Sequence, residues 1–191
     1  MLDLEPIKSL IPADDYLQAC VNWELIEDAF ATHSIADVYN LAGICATVAV
    51  ETGCTFRPVQ EHGDSSYFIR NYWSNPYVRK QLGNKSPLDA INYHGRGYIQ
   101  ITGRYNYQQA SESLDVGLLF QPQLACNTNI AAKILWWFWT TRKLDKLCSN
   151  INADTEPAQK LTVYQEVRRI VNGGLSGLPL YMDVLKRLGV V

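Results

Sequence analysis

Asp14 to Phe30 carries apolar side chains at helical spacing and reads as an amphipathic helix. A second helical pattern follows, with Val38, Leu41, Ile44, Cys45 and Val48 in one apolar stripe. Ser34 and Asp37 stand at capping-box spacing, so this helix is expected to begin near Ser34 and to end near Glu51–Gly53. Residues 54–92 lose the period. Pro58, Gly63, Pro76, Gly83 and Pro87, among Ser and Asn clusters, predict an irregular stretch. So long a stretch inside a compact chain is more often functional than filler. Residues 98–102, "YIQIT", alternate: Ile99 and Ile101 on one face, Tyr98, Gln100 and Thr102 on the other. This predicts a strand with one polar face. Helices are then expected over 104–115, 128–143, 156–171 and 178–188. Pro157 punctuates the start of the third, and Gly173 and Gly174 follow its end. The pattern predicts a mainly α chain of α+β layout, in which a polar loop-and-strand face lines a cleft.

The 191 residues suit one domain with a substantial core. A 47% hydrophobic, 19% charged composition predicts a packed globule. A net charge of −2 argues against a broad basic surface, so neither nucleic acid nor an anionic membrane is an expected partner. The opening "MLDLEPIKSLIPADDY" has acids in place of a basic region, and Pro6 and Pro12 interrupt its apolar run. It does not read as a signal peptide, which predicts synthesis in the cytoplasm and a separate route out. "AGICATVAV" and "ILWWFW" fall short of the roughly 18 apolar residues of a membrane span, so no insertion is expected. The second block reads as core. Cys20, Cys45, Cys54, Cys126 and Cys148 form no CxxC, and His33, His62 and His94 are scattered. Buried thiols are expected, with no metal and no cofactor.

Two carboxylates draw interest. Glu51 ends an apolar run near a helix C-terminus, where desolvation and the macrodipole both favour the protonated acid. That suits a general acid. The position equally suits an inert glutamate in a last helical turn. Glu61 and Asp64 lie in the polar segment "PVQEHGDSSY", where a carboxylate stays ionised. A protonated acid with an ionised partner is what glycoside hydrolysis requires, although paired acids in a loop are also ordinary solvated surface. Tyr93, Tyr98, Gln100, Thr102, Tyr105 and Asn106 offer the amides, hydroxyls and rings that bind sugars. Gly95, Gly97 and Gly103 let a ligand or a second strand approach the backbone. A plain edge strand would present the same face, and Asn172 in "VNGG" reads first as part of a helix cap.

In this order, "VAVETGCTFRPVQE", "SSYF", "LGN", "NYHGRGYIQITGRYNY" and "VNGGLSGL" resemble glycoside hydrolase family 19. The likeness is to its bacteriophage endolysins and bacterial lysozyme-like members more than to its plant chitinases, and covers residues 35–188. The resemblance implies a lysozyme-like α+β fold, two helical lobes around a cleft with a small β element. It implies Glu51 as general acid and Glu61 as the second carboxylate, acting on water. Tyr67, Tyr93, Gln100, Thr102, Asn106 and Asn172 would bind substrate, and Arg96 would buttress the loop or touch the sugar. The mechanism would be inverting and metal-free, with carboxyls roughly 6.5–9.5 Å apart. Two departures stand out: the plant enzymes place their second glutamate farther on, which keeps Asp64 as a rival, and their disulfide pattern does not transfer. Residues 1–191 would form a single catalytic domain without a wall-binding module. The implied function is that of a monomeric endolysin, released by a holin. It would cleave the β-1,4 bond between N-acetylmuramic acid and N-acetylglucosamine in cell-wall peptidoglycan. A chitinase is the alternative, and so is an inactive sugar-binding protein, which would have no need of Glu51.

Overall fold

The computed structural model describes residues 2–191. In chain order the helices begin with α1 (Tyr16–Ala31), α2 (Val38–Glu51), α3 (Ser65–Tyr72), α4 (Pro76–Leu82) and α5 (Pro87–Asn92). They continue with α6 (Arg104–Leu114), α7 (Thr128–Thr141), α8 (Leu144–Cys148), α9 (Pro157–Asn172) and α10 (Leu178–Arg187). Strands β1 (Val59–Gln60) and β2 (Arg96–Gly97) form the one small sheet among the described residues. The chain divides into two compact units: residues up to Arg57 with Phe138–Val191, and Pro58–Trp137.

The first unit is built around α2. Every residue from Asn40 to Ala49 is buried, which explains why its sequence is apolar nearly all round. Helices α8, α9 and α10 pack against it. Asp37 caps α2 by accepting from the Asn40 N–H, and Ser34 sits four residues before the helix with φ 59°. The helix therefore starts at Val38, later than the expected capping box placed it. Buried Asn40 donates to Asp37 at 2.8 Å and accepts from the Trp139 indole at 2.9 Å. It thereby ties the start of α2 to the core.

In the second unit β1 and β2 pair antiparallel, Val59 opposite Gly97 and Gln60 opposite Arg96. Two sequence expectations fail here. The stretch 54–92 is not irregular: it holds α3, α4 and α5. Asp64, Asn75 and Ser86 each cap a helix by accepting backbone N–H groups, and Pro76 and Pro87 stand in the first turns. What resembled loop punctuation was helix initiation. The expected strand over 98–102 is also absent. Tyr98–Gln100 is a turn with Gln100 at φ 52°, after which Ile101 folds back to bridge Arg96. Tyr98, Ile99 and Ile101 are buried and Gln100 and Thr102 half-buried, so the alternation does not divide core from solvent. Buried Arg96 donates through Nη1 to the Asn92 carbonyl at 2.8 Å and to the Tyr107 hydroxyl at 3.0 Å. It buttresses the loop from inside.

All five cysteines are free thiols, and burial pushes the Cys45, Cys54, Cys126 and Cys148 thiols up. Dithiothreitol is therefore expected to leave Tm unchanged. A fall matching the loss of about 2–4 kcal/mol would reveal a cross-link and refute this reading. Among the described residues no helix is long and apolar enough to cross a membrane.

Candidate active site

Glu51 is the last residue of α2, and its side chain is only 14% exposed. That agrees with the partial desolvation expected at the end of an apolar run, but a cation the sequence did not announce lies against it. Arg168, on α9, donates from Nη1 to Glu51 Oε1 at 2.5 Å. The Arg168 side chain is 2% exposed, and its Nε donates to the Ser176 carbonyl at 2.7 Å. A buried guanidinium demands a counter-charge, and Glu51 provides it. Gly177, at φ 73°, closes this corner: a Cβ there would stand 2.5 Å from Val50 Cγ1 and 3.3 Å from Arg168 Nη2. Sequence reasoning missed Arg168, which lies 117 residues from its partner. The available signal was an arginine beside Tyr164 and Val167 on the buried face of α9.

Glu61 follows β1 and extends its ladder, its N–H donating to the Gly95 carbonyl at 2.9 Å. Both carboxylate oxygens are held. Oε2 accepts from the Gly95 N–H at 2.9 Å, and Oε1 from the Tyr72 hydroxyl at 2.6 Å. Burial and the hydrogen bond to Glu61 push the Tyr72 phenol up, so it stays a donor. A Cβ at position 95 would lie 2.8 Å from Gln100 Oε1 and 3.1 Å from Glu61 Oε2, so a side chain there would displace both groups. Phe68 stacks on His94, with centroids 4.1 Å apart, and on Tyr72 at 6.4 Å. The two donors to Glu61 are thus backed by one aromatic column. Tyr72 was not legible as a site residue.

Asp64 is exposed and caps α3. Its Oδ1 accepts from Ser66 Oγ at 2.7 Å and from the Tyr67 N–H at 2.8 Å, and these bonds lower its pKa.

The remaining candidates are placed as follows. Gln100 Nε2 donates to the carbonyls of Val59 and Gly97, at 2.9 and 3.1 Å, which leaves its amide oxygen. Thr102 Oγ1 donates to the Gln100 carbonyl, and Asn106 Nδ2 to the Thr102 carbonyl. Tyr93 is buried, its hydroxyl donating to the Leu119 carbonyl at 3.1 Å. Tyr67 is half-buried, edge-on to Phe68. Asn172 is the exposed last residue of α9, followed by Gly173 in the left-handed cap. The structure gathers Glu61, Gln100, Thr102 and Asn106 in the second unit. Glu51 and Asn172 belong to the first.

The chitinase class I family matches residues 36–179, and the chain belongs to glycoside hydrolase family 19. It is 36% identical over 92 residues to chitinase 3 of Oryza sativa subsp. japonica, covering 44% of this chain and 29% of that protein. It is 34% identical over 118 residues to endochitinase A2 of Pisum sativum, covering 56% of this chain and 36% of that protein. The chain thus spans about a third of the length of these curated relatives. Chitinase C from Streptomyces griseus HUT6037 superposes with a TM-score of 0.61 at 20% identity, over 95% of this chain and 94% of that one. That likeness is one of fold.

Proposed function

We propose that this chain is an inverting glycoside hydrolase acting on β-1,4-linked glycans that contain N-acetylglucosamine. The observation that carries this reading is the grip on Glu61 through both oxygens, from the Gly95 N–H and the Tyr72 hydroxyl. A catalytic group has to be held to within about 0.5 Å, and a hydrogen bond on each oxygen restrains Glu61 in the way that requires. Asp64, in contrast, is used as a helix cap. Glu61 draws a proton from water as the water oxygen attacks the anomeric carbon. The glycosidic C–O bond breaks, and the leaving oxygen takes the proton of Glu51. Arg168 then lies against the carboxylate left behind and offsets its charge. The Gln100 amide oxygen, Thr102, Asn106, Asn172 and the Tyr67 ring are the proposed sugar contacts. Tyr93 supports them from the core.

Within that class the proposed substrate is peptidoglycan, cut between N-acetylmuramic acid and N-acetylglucosamine by a monomeric endolysin that reaches the wall after holin-mediated release. The resemblance of residues 35–188 to phage endolysins supports this. Chitin is the second reading, supported by relatives that are named chitinases and endochitinases. Clearing of outer-membrane-permeabilised cells, run beside hydrolysis of a soluble N-acetylglucosamine oligomer, separates the two. Clearing is the expected result. Oligomer cleavage without clearing moves the assignment to chitin, and a first-formed β-anomeric product sinks the inverting mechanism.

A further inference from the structure

Residues 65–88 contain Arg70, Arg79, Lys80 and Lys85 and no aspartate or glutamate, in a chain of net charge −2. The same segment carries Tyr67, Trp73 and Tyr77 at least partly exposed. Two of the cations lie over two of the rings. The Arg70 guanidinium lies over the Tyr67 ring at 5.8 Å, and that of Arg79 over the Trp73 ring at 4.4 Å. None of the four cations forms an ion pair among the described residues.

Helix ends alone do not explain this row. Cations in a last turn are favoured by the macrodipole, and Arg70, Arg79 and Lys80 occupy such turns. Arg169 and Arg187 occupy last turns too, and there Glu166 and Asp183 pair with them. On α3 and α4 the pairing acids are missing. The flanking aspartates do not supply them: Asp64 caps α3, and Asp89 holds the Lys85 N–H and Arg104. The row also adjoins the candidate base. Tyr72, which grips Glu61, is the residue before Trp73.

We propose that the outer face of α3 and α4 is a subsite for a carboxylate-bearing glycan, with Arg70 and Arg79 taking the carboxylates and Tyr67 and Trp73 the sugar faces. Guanidinium groups bind carboxylates in a planar, two-bond geometry, and rings lie against the apolar faces of sugars. Chitin is neutral and has no use for such a row. Peptidoglycan carries carboxylates on its stem peptides, and on those muramic acids that bear no peptide. The proposal rests on the peptidoglycan reading and names the feature that would select for it.

The test measures binding, so that it stands apart from turnover. The probes are solubilised peptidoglycan strands and the same strands with their carboxylates amidated. The proteins are Glu51→Gln, which prevents cleavage during the assay, and Glu51→Gln with Arg70→Gln and Arg79→Gln. The first is expected to bind native strands about tenfold tighter than amidated ones, two exposed charge contacts each giving a few-fold effect. The second is expected to lose that preference. Equal binding of both strand types by the first protein overturns the proposal. So does a preference that survives both arginine changes, or displacement of the strands by a single-stranded oligonucleotide at matched charge. A preference that behaves as expected in a chain whose parent cleaves neither glycan would sink the hydrolase reading and leave the subsite standing.

Discussion

Glu51→Gln lowers the rate of glycan hydrolysis by at least about 100-fold, since proton transfer by a placed acid contributes 10²–10⁴-fold. The amide has nearly the same shape but cannot deliver a proton. It does keep an oxygen at the position of Oε1, the acceptor for Arg168. The fold therefore survives, with a lower Tm, because a guanidinium whose side chain is 2% exposed has lost its counter-charge. Glu51→Ala removes the acceptor as well, and a buried charge stripped of its partner costs about 3 kcal/mol. The two variants are thus expected to be equally inactive and unequally stable. A Glu51→Gln protein that retains more than about a tenth of wild-type rate refutes the general-acid role, because a placed acid typically contributes 10²–10⁴-fold.

The legible parts of this molecule were those written in local chemistry. The stripe from Val38 to Val48 announced α2, and Pro157 and Gly173 marked the ends of α9. Local signals were also misread. Asn75–Pro76 and Ser86–Pro87 are cap-and-first-turn pairs, yet proline beside Ser or Asn signals a turn as readily as a helix start. Short helices of six to eight residues show too few turns for their period to settle the matter. The alternation in "YIQIT" misled for another reason. Tyr98 on the polar side is as buried as Ile99 and Ile101, and what resembled a pleat was a folded-back turn. Glu51 and Glu61 could be picked out by type and setting. Their holders could not: Arg168 reaches Glu51 from a distant helix, and Tyr72 reaches Glu61 only because α3 exists. The partial desolvation of Glu51 was legible from its apolar run, but the guanidinium beside it was not, since no local pattern shows what a later helix brings.

Glu61→Gln is expected to lose at least about 100-fold in rate, while Asp64→Asn loses far less. The structure gives the two acids different work. Glu61 stands at the end of β1, with its N–H on the Gly95 carbonyl and its two oxygens on Gly95 and Tyr72. Asp64 is exposed, and its Oδ1 is engaged with Ser66 and Tyr67. Asparagine is as good a helix cap as aspartate, so Asp64→Asn should also leave Tm nearly unchanged. Tyr72→Phe provides the intermediate case. It removes one of the two bonds that orient Glu61 and keeps the stack on Phe68, so kcat should fall more than KM rises. Azide added to Glu61→Ala supplies a small anion where the carboxylate was, so the rate should recover with azide, and the anomeric configuration of the product would mark the face of attack. If Asp64→Asn proves the more damaging change, with both variants folded by circular dichroism, Glu61 is not the base. The bonds from Tyr72 and Gly95 then serve only to hold the short sheet against α3.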